Sequence, residues 1–163
     1  MTLNLGSTGP TVRRLQRNLN SQFEQLGMFA EMAVRVDGFF GPATLASVKY
    51  LQCVGGLPVN GRVCDRTLAF ITQGAAGLPA LSIGSTGTQV AAVQQTLSAA
   101  QIWLAVDGVF GKQTEQAVKL YQHELGIASS GIVSRETWEM VVRSRLDGLP
   151  CVALLPHLYA RGR

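Results

Sequence analysis

The chain has 163 residues, 47% of them apolar and 15% charged, with a formal charge of +4. These values exclude a disordered chain, and so mild and scattered a basic excess argues against a nucleic-acid partner, which needs a clustered basic face. The glycines follow no three-residue period, so they point to tight turns, and no apolar run approaches the ~20 residues of a membrane span.

The opening block, LNLGSTGPTVRRLQRNLN (Leu3–Asn20), starts with a glycine turn. Val12, Leu15, Leu19, Phe23 and Leu26 then fall at spacings of 3, 4, 4 and 3, which is one face of a helix. Ser7 or Thr8 can cap its start, and Pro10 suits a first helical turn. The next block, VDGFFGPATLASVKYLQ (Val36–Gln52), predicts a turn and a second helix with Leu45, Val48 and Leu51 inward and Thr44 placed to meet its open N–H groups. Gly55 and Gly56 are expected to end it as left-handed caps. A third helix is expected behind Asp65 in GLPVNGRVCDRTLAFI (Gly56–Ile71), carrying Leu68 and Ile71 inward. GRV in that block is too short to make a sheet.

After the short link QGAAGLPA (Gln73–Ala80) all three blocks return. LSIGSTGTQVAAVQQTLS (Leu81–Ser98) matches the first block at an offset of 78. VDGVFGKQTEQAVKLYQ (Val106–Gln122) and GIASSGIVSRETWEMV (Gly126–Val141) match the others at an offset of 70, so the first copy holds eight extra residues between Asn20 and Val36. The inward face recurs as Val90, Val93 and Leu97, then Ala117, Val118, Tyr121 and Leu125, then Trp138, Val141 and Val142, with Gly126 as a stop and Ser134 as a cap. The expected fold is all-α: two small three-helix bundle modules in tandem, at 1–74 and 81–146, joined by a linker at 75–80. The remaining tail, 147–163, has no counterpart, and its Leu and Val residues with Tyr159 predict that it packs onto a module or docks a protein partner.

Asp37 and Asp107 invite a catalytic reading, but each precedes a glycine. Asp-Gly is a turn signal in which Gly takes positive φ and the carboxylate accepts nearby backbone N–H groups. Phe40 and Phe110 then plug a small core, so DGxFGxxT reads as structure throughout. Glycan hydrolysis needs two carboxyls in one cleft, one with a raised pKa, and these two lie in separate copies. His123 and His157 are too few for a zinc site, no GxSxG elbow occurs, and no Cys/His pairing is suggested. We therefore expect no enzyme, no metal and no cofactor. Cys53, Cys64 and Cys151 cannot all pair within the chain; they read as small buried apolar residues, with a Cys53–Cys64 disulfide as the alternative.

The combined pattern GSTGPTVRRLQRNLN, VDGFFGPATLASVKYLQ and GLPVNGRVCDRTL resembles the three-helix peptidoglycan-binding module (the PGBD-like fold). That module accompanies many bacterial amidases, transglycosylases and carboxypeptidases. The second copy fits better, with Trp138 where the first has Leu68, and the longer loop from Ser21 to Arg35 is unusual for the family and able to reshape a bordering groove. The resemblance implies non-catalytic binding of the stem peptide and glycan of cell-wall peptidoglycan, with no membrane partner.

Contacts are expected around the DG turns and the third-helix entries: Asp37, Thr44, Asn60, Arg62 and Arg66 in the first copy, and Asp107, Lys112, Thr114, Ser130 and Arg135 in the second. Arginines there can pair stem-peptide carboxylates. Trp138 reads as core rather than as a sugar-stacking ring. Two copies raise apparent affinity for a repeating polymer; pressed together, they instead make a rigid adaptor. The functional expectations are thus wall targeting, as part of a hydrolase system, or a scaffold in a secretion or phage-like assembly. The expected address is the cell wall, the periplasm or outside the cell. No secretory leader precedes Leu3, which leaves open a trimmed leader, another export route and residence inside the cell or an assembly.

Overall fold

The computed structural model describes residues 2–146, 148 and 151–154 and is helical throughout, with no strand among those residues. The helices are α1 Pro10–Gln25, α2 Phe29–Met32, α3 Pro42–Val54, α4 Asp65–Gln73, α5 Thr88–Ala99, α6 Lys112–Glu124 and α7 Arg135–Leu146. Single 3-10 turns occupy Gly74–Gly77 and Cys151–Leu154. Leaving aside the one-turn α2, the helices form two trios, α1/α3/α4 and α5/α6/α7. Isolated antiparallel bridges tie each N-terminal turn to its later turns: Leu3 to Val63 and Thr8 to Phe39, then Leu81 to Val133 and Thr86 to Val109.

Periodicity placed the cores well. Val12, Leu15, Leu19 and Phe23 are buried along α1, Val90, Val93 and Leu97 along α5, and Phe40, Phe110 and Trp138 fill the two centres. Leu68 and Leu125 differ from expectation, remaining 38% and 40% exposed. In α4 the inward residues are Thr67, Phe70 and Ile71, a narrow stripe that turns Leu68 to the flank. The helix starts differ as well. Gly9 rather than Ser7 or Thr8 precedes α1, with no side-chain cap but with Pro10 in the first turn. Asp65 lies inside α4, with Cys64 at its N-cap position. Of the two glycines after α3, only Gly56 is left-handed, at φ 66°.

The extra residues of the first copy are ordered around their own hydrogen bonds. α1 runs on to Gln25, α2 turns the chain back, and Met32 and Val34 are buried. The Asn20 carboxamide closes the loop, donating to the Val34 carbonyl at 2.9 Å and accepting its N–H at 2.8 Å.

The trios are joined as one body. Tyr50 of α3 donates to the Leu146 carbonyl of α7 at 2.7 Å, and Trp138 donates to the Pro79 carbonyl of the link at 2.8 Å. Arg145 is buried between them and donates to the carbonyls of Cys53 (3.0 Å) and Ala92 (3.1 Å). The cysteine expectation is corrected: Cys53 pairs with Cys151, while Cys64 is free and exposed. The reason is spatial, since the Cys151–Leu154 turn lies on α3 and brings the two Cα atoms to 5.5 Å, whereas Cys64 opens α4 at the surface. The tail thus packs onto the first module as far as Leu154; Tyr159, His157 and the docking role expected of the remaining tail lie outside the described residues.

Candidate functional site

Four buried glutamines organise the turns around the site. Gln16 accepts the Gly38 N–H at 2.8 Å, while its Nε2 lies 2.9 Å from Asp37 Oδ1 and 3.0 Å from the Phe39 carbonyl. Gln94 repeats this with Gly108, Asp107 and Val109. Gln52 does the same for Gly61, Asn60 and the Arg62 carbonyl, and Gln122 for Gly131, Ser130 and the Ile132 carbonyl. Each Nε2 also reaches a threonine hydroxyl on the following helix: Thr44, Thr67, Thr114 or Thr137. The underlying sequence unit is a helix-borne Gln, then Asp, Asn or Ser before Gly, then Thr seven positions after that Asp, Asn or Ser. The unit occurs four times, twice per module; the Asp-Gly and Thr of two of these turns were read from the sequence as DGxFGxxT, whereas the glutamine and the recurrence at Asn60 and Ser130 were not.

This geometry settles the states of Asp37 and Asp107. The hydrogen bond from Gln16 or Gln94 comes first, the Phe39 or Val109 N–H second, and together they hold each carboxyl below its usual pKa. Both aspartates are ionised turn anchors, unlike a general acid, which must keep its proton near neutral pH. Among the described residues no three His, Cys, Asp or Glu side chains stand close enough together to hold a metal ion.

The expected contact residues separate into groups. Thr44 and Thr114 are buried and answer to the glutamines, so their hydroxyls are turned from solvent and cap no helix. Asn60, Arg62 and Arg66 do converge, lining a cavity of about 310 Å³ with Pro58, Cys64 and Thr67. Neither arginine has a carboxylate partner among the described residues, where the ion pairs are Lys119–Glu115 and Arg135–Glu139. Arg135 lies elsewhere, in a smaller cavity of about 190 Å³ bordered by Gln22, Gln25 and Gln73. That is also the cavity the Ser21–Arg35 insertion borders. Lys112 opens α6 at the surface, and Ser130 is held in its turn by Gln122 and Ile132. One surface feature went unnoticed in the sequence: Trp103, between α5 and α6, is 90% exposed, whereas Trp138 is fully buried.

The sequence profile of one family, described as "Putative peptidoglycan binding domain", matches residues 8–71 and again 86–141, most of the chain. The chain belongs to this family, in two tandem copies. A comparison with curated proteins finds no match. A solved structure of a peptidoglycan-binding protein from Clostridioides difficile, in complex with glutamine hydroxamate, is 28% identical, with a TM-score of 0.40 over 41% of this chain and 42% of that one. The match therefore spans less than half of either chain.

The two peptidoglycan-binding domains present different chemistry. At the turn and third-helix entry the first has Asn60, Arg62, Cys64 and Arg66, where the second has Ser130, Ile132, Ser134 and Glu136. The basic cavity is thus a property of the first domain. Along the first helix, Thr11, Arg14 and Asn18 reach the surface, whereas their counterparts Gln89, Ala92 and Thr96 are buried. Module 1 is what covers Ala92 and Gln89: a Cβ on Gly56 would lie 2.7 Å from the Ala92 Cβ and 3.2 Å from the Gln89 Cα. The face left open in the first domain is the docking face of the second.

Proposed function

We propose that this chain holds cell-wall peptidoglycan without cleaving it, acting at the wall as the targeting part of a hydrolase system. The observation that carries this reading is the cavity of Asn60, Arg62 and Arg66, in a chain of the peptidoglycan-binding family. Two guanidiniums with no carboxylate partner among the described residues, beside a turn locked by Gln52, form a preset receptor for a stem-peptide carboxylate. Guanidinium geometry matches a carboxylate in two parallel bonds, and rigid support limits the ordering cost of binding.

Asp37 and Asp107 support binding rather than catalysis, since each is ionised and committed to its own turn. Because the modules are locked together, they do not engage the polymer as two independent hands. They offer one composite surface, on which the first module carries the charge. The same rigidity favours the adaptor reading as the alternative, and the tail is the expected contact for a protein partner there.

The deciding experiment incubates the purified chain with isolated sacculi at low salt and measures both the pelleted protein and any soluble wall fragments. Pelleting without released fragments supports the proposal. A fully soluble protein rules it out in favour of the adaptor, and fragment release rules out a purely binding role.

A further inference from the structure

The seam between the modules joins two unlike faces. The second module brings Gln89 and Ala92 of α5, and the first brings the end of α3, where Gly56 lies against Ala92 and Leu57 is buried. Such a contact is heterologous, so each module retains the half that its neighbour uses. The first module keeps its α1 face open: Thr11 and Arg14, the counterparts of Gln89 and Ala92, reach the surface. Beside them runs a groove of about 240 Å³, lined among others by Asn18, Asp65 and the partly exposed Leu68. The second module keeps the end of α6 open. Leu125 there is 40% exposed, and a Cβ on Gly126, the counterpart of Gly56, would meet nothing within 4 Å.

The two open halves carry opposite charges at matching places. Arg14 stands on one where the seam has Ala92, and Glu124 stands on the other where the first module has Val54, beside the glycine turn. At another point along the seam Arg135 and Gln73 border one cavity. Their counterparts are Asp65 and Arg143, again an opposite pair. All four charged residues are exposed, and none belongs to either ion pair found among the described residues.

We infer that the open α1 face of the first module is a docking surface for the α6 end of a second copy of this chain. Copies then join head to tail through the contact that joins the modules within one chain. Leu125 of one copy enters the groove beside Leu68 of the next, Arg14 meets Glu124, and Asp65 meets Arg143. No two-fold axis closes this contact, so it extends beyond a dimer. It lacks the link, and Arg145 has Ala75 as its counterpart, so the buried grip on the α3 carbonyl is not repeated. The junction is therefore weaker than the seam and sensitive to salt. This inference goes beyond wall binding and does not depend on it.

The test is sedimentation velocity of the purified full chain at low salt and concentrations up to about 1 mM. The average mass is expected to rise continuously past the dimer and to return to the monomer in about 1 M salt. Arg14→Glu and Glu124→Arg each set like charges together and weaken association at least tenfold. An equimolar mixture of these two variants restores it, because each then presents the complement of the other, and that recovery excludes misfolding as the cause of either loss. Asp65→Arg and Arg143→Asp repeat the test on the second pair. A monomer at every concentration, a plateau at the dimer, parent-like association of both single variants of a pair, or no recovery in either mixture overturns the inference.

Discussion

The Arg145 guanidinium of α7 grips the Cys53 carbonyl of α3 with two of its nitrogens, Nε at 3.2 Å and Nη2 at 3.0 Å, while Nη1 holds the Ala92 carbonyl of α5 at 3.1 Å. One side chain therefore ties three helices across the seam. Burial lowers its pKa from the ordinary arginine value, and the carbonyls do the work a carboxylate would otherwise do. Arg145→Leu is expected to destabilise the chain by about 2 kcal/mol in urea melts, the scale of lost charge-assisted hydrogen bonds. Arg145→Lys should recover little, because a single ammonium cannot span two carbonyls in this fork. A wild-type melt from either variant would show the grip to be incidental.

The Cys53–Cys151 bond closes a separation of 98 residues. Cross-linking so long a loop restricts the unfolded chain, so reduction or Cys151→Ser should cost about 2–4 kcal/mol. Cys64→Ser should leave the melting temperature unchanged. Alkylation of the native, unreduced protein followed by mass measurement is expected to label one of the three cysteines. Two or three labels would contradict the pairing.

Gln94 is the test case for the turn scheme. Replacing it with Leu strips the acceptor from the Gly108 N–H and the donor from Asp107, Val109 and Thr114. We expect a loss of about 3 kcal/mol from chemical denaturation, since leaving buried partners unpaired costs more than the bonds themselves return. Gln95→Leu, one residue along, should cost far less. Equal losses would remove the special role of Gln94.

Acid stability follows from the same turns. Asp37 and Asp107 have folded pKa values below the ordinary 3.8, to which they return on unfolding. The unfolded chain thus binds these protons first as the pH falls. Their stabilisation is complete above the ordinary value and is lost as pH drops through the folded one. Asp37→Asn with Asp107→Asn should flatten that acid limb of stability against pH and lower the neutral-pH melt toward the level the parent chain reaches in acid, because the neutral amide lacks the charge whose stabilisation is complete there. An unaltered acid limb would place its origin elsewhere.

Much of this was open to reading in the letters alone. Val12, Leu15, Leu19 and Phe23 announce their face by spacing, and Phe40 and Phe110 announce the plugs by their place after Asp-Gly. The glutamines escaped because a polar residue on an amphipathic helix reads as solvent-facing until its partner is known. Their recurrence before all four turns was the available signal. Cys53 and Cys151 carry no local pattern, and only the return of the tail to α3 brings them together. Arg145 likewise looks like any surface arginine of a terminal turn. The asymmetry of the modules went unread: Ala92 stands where the first copy has Arg14, but a small residue on a helix face does not by itself announce a docking surface.

The central claim is that wall binding resides in the arginine cavity of the first module. It is tested most directly by sedimentation with sacculi of two charge-matched double variants, Arg62→Ala/Arg66→Ala and Lys112→Ala/Arg135→Ala. The account predicts that the first loses binding at least tenfold, from two charge-assisted contacts, while the second pellets like wild type. Equal loss in both, as simple charge attraction would give, or loss in the second alone, would contradict it.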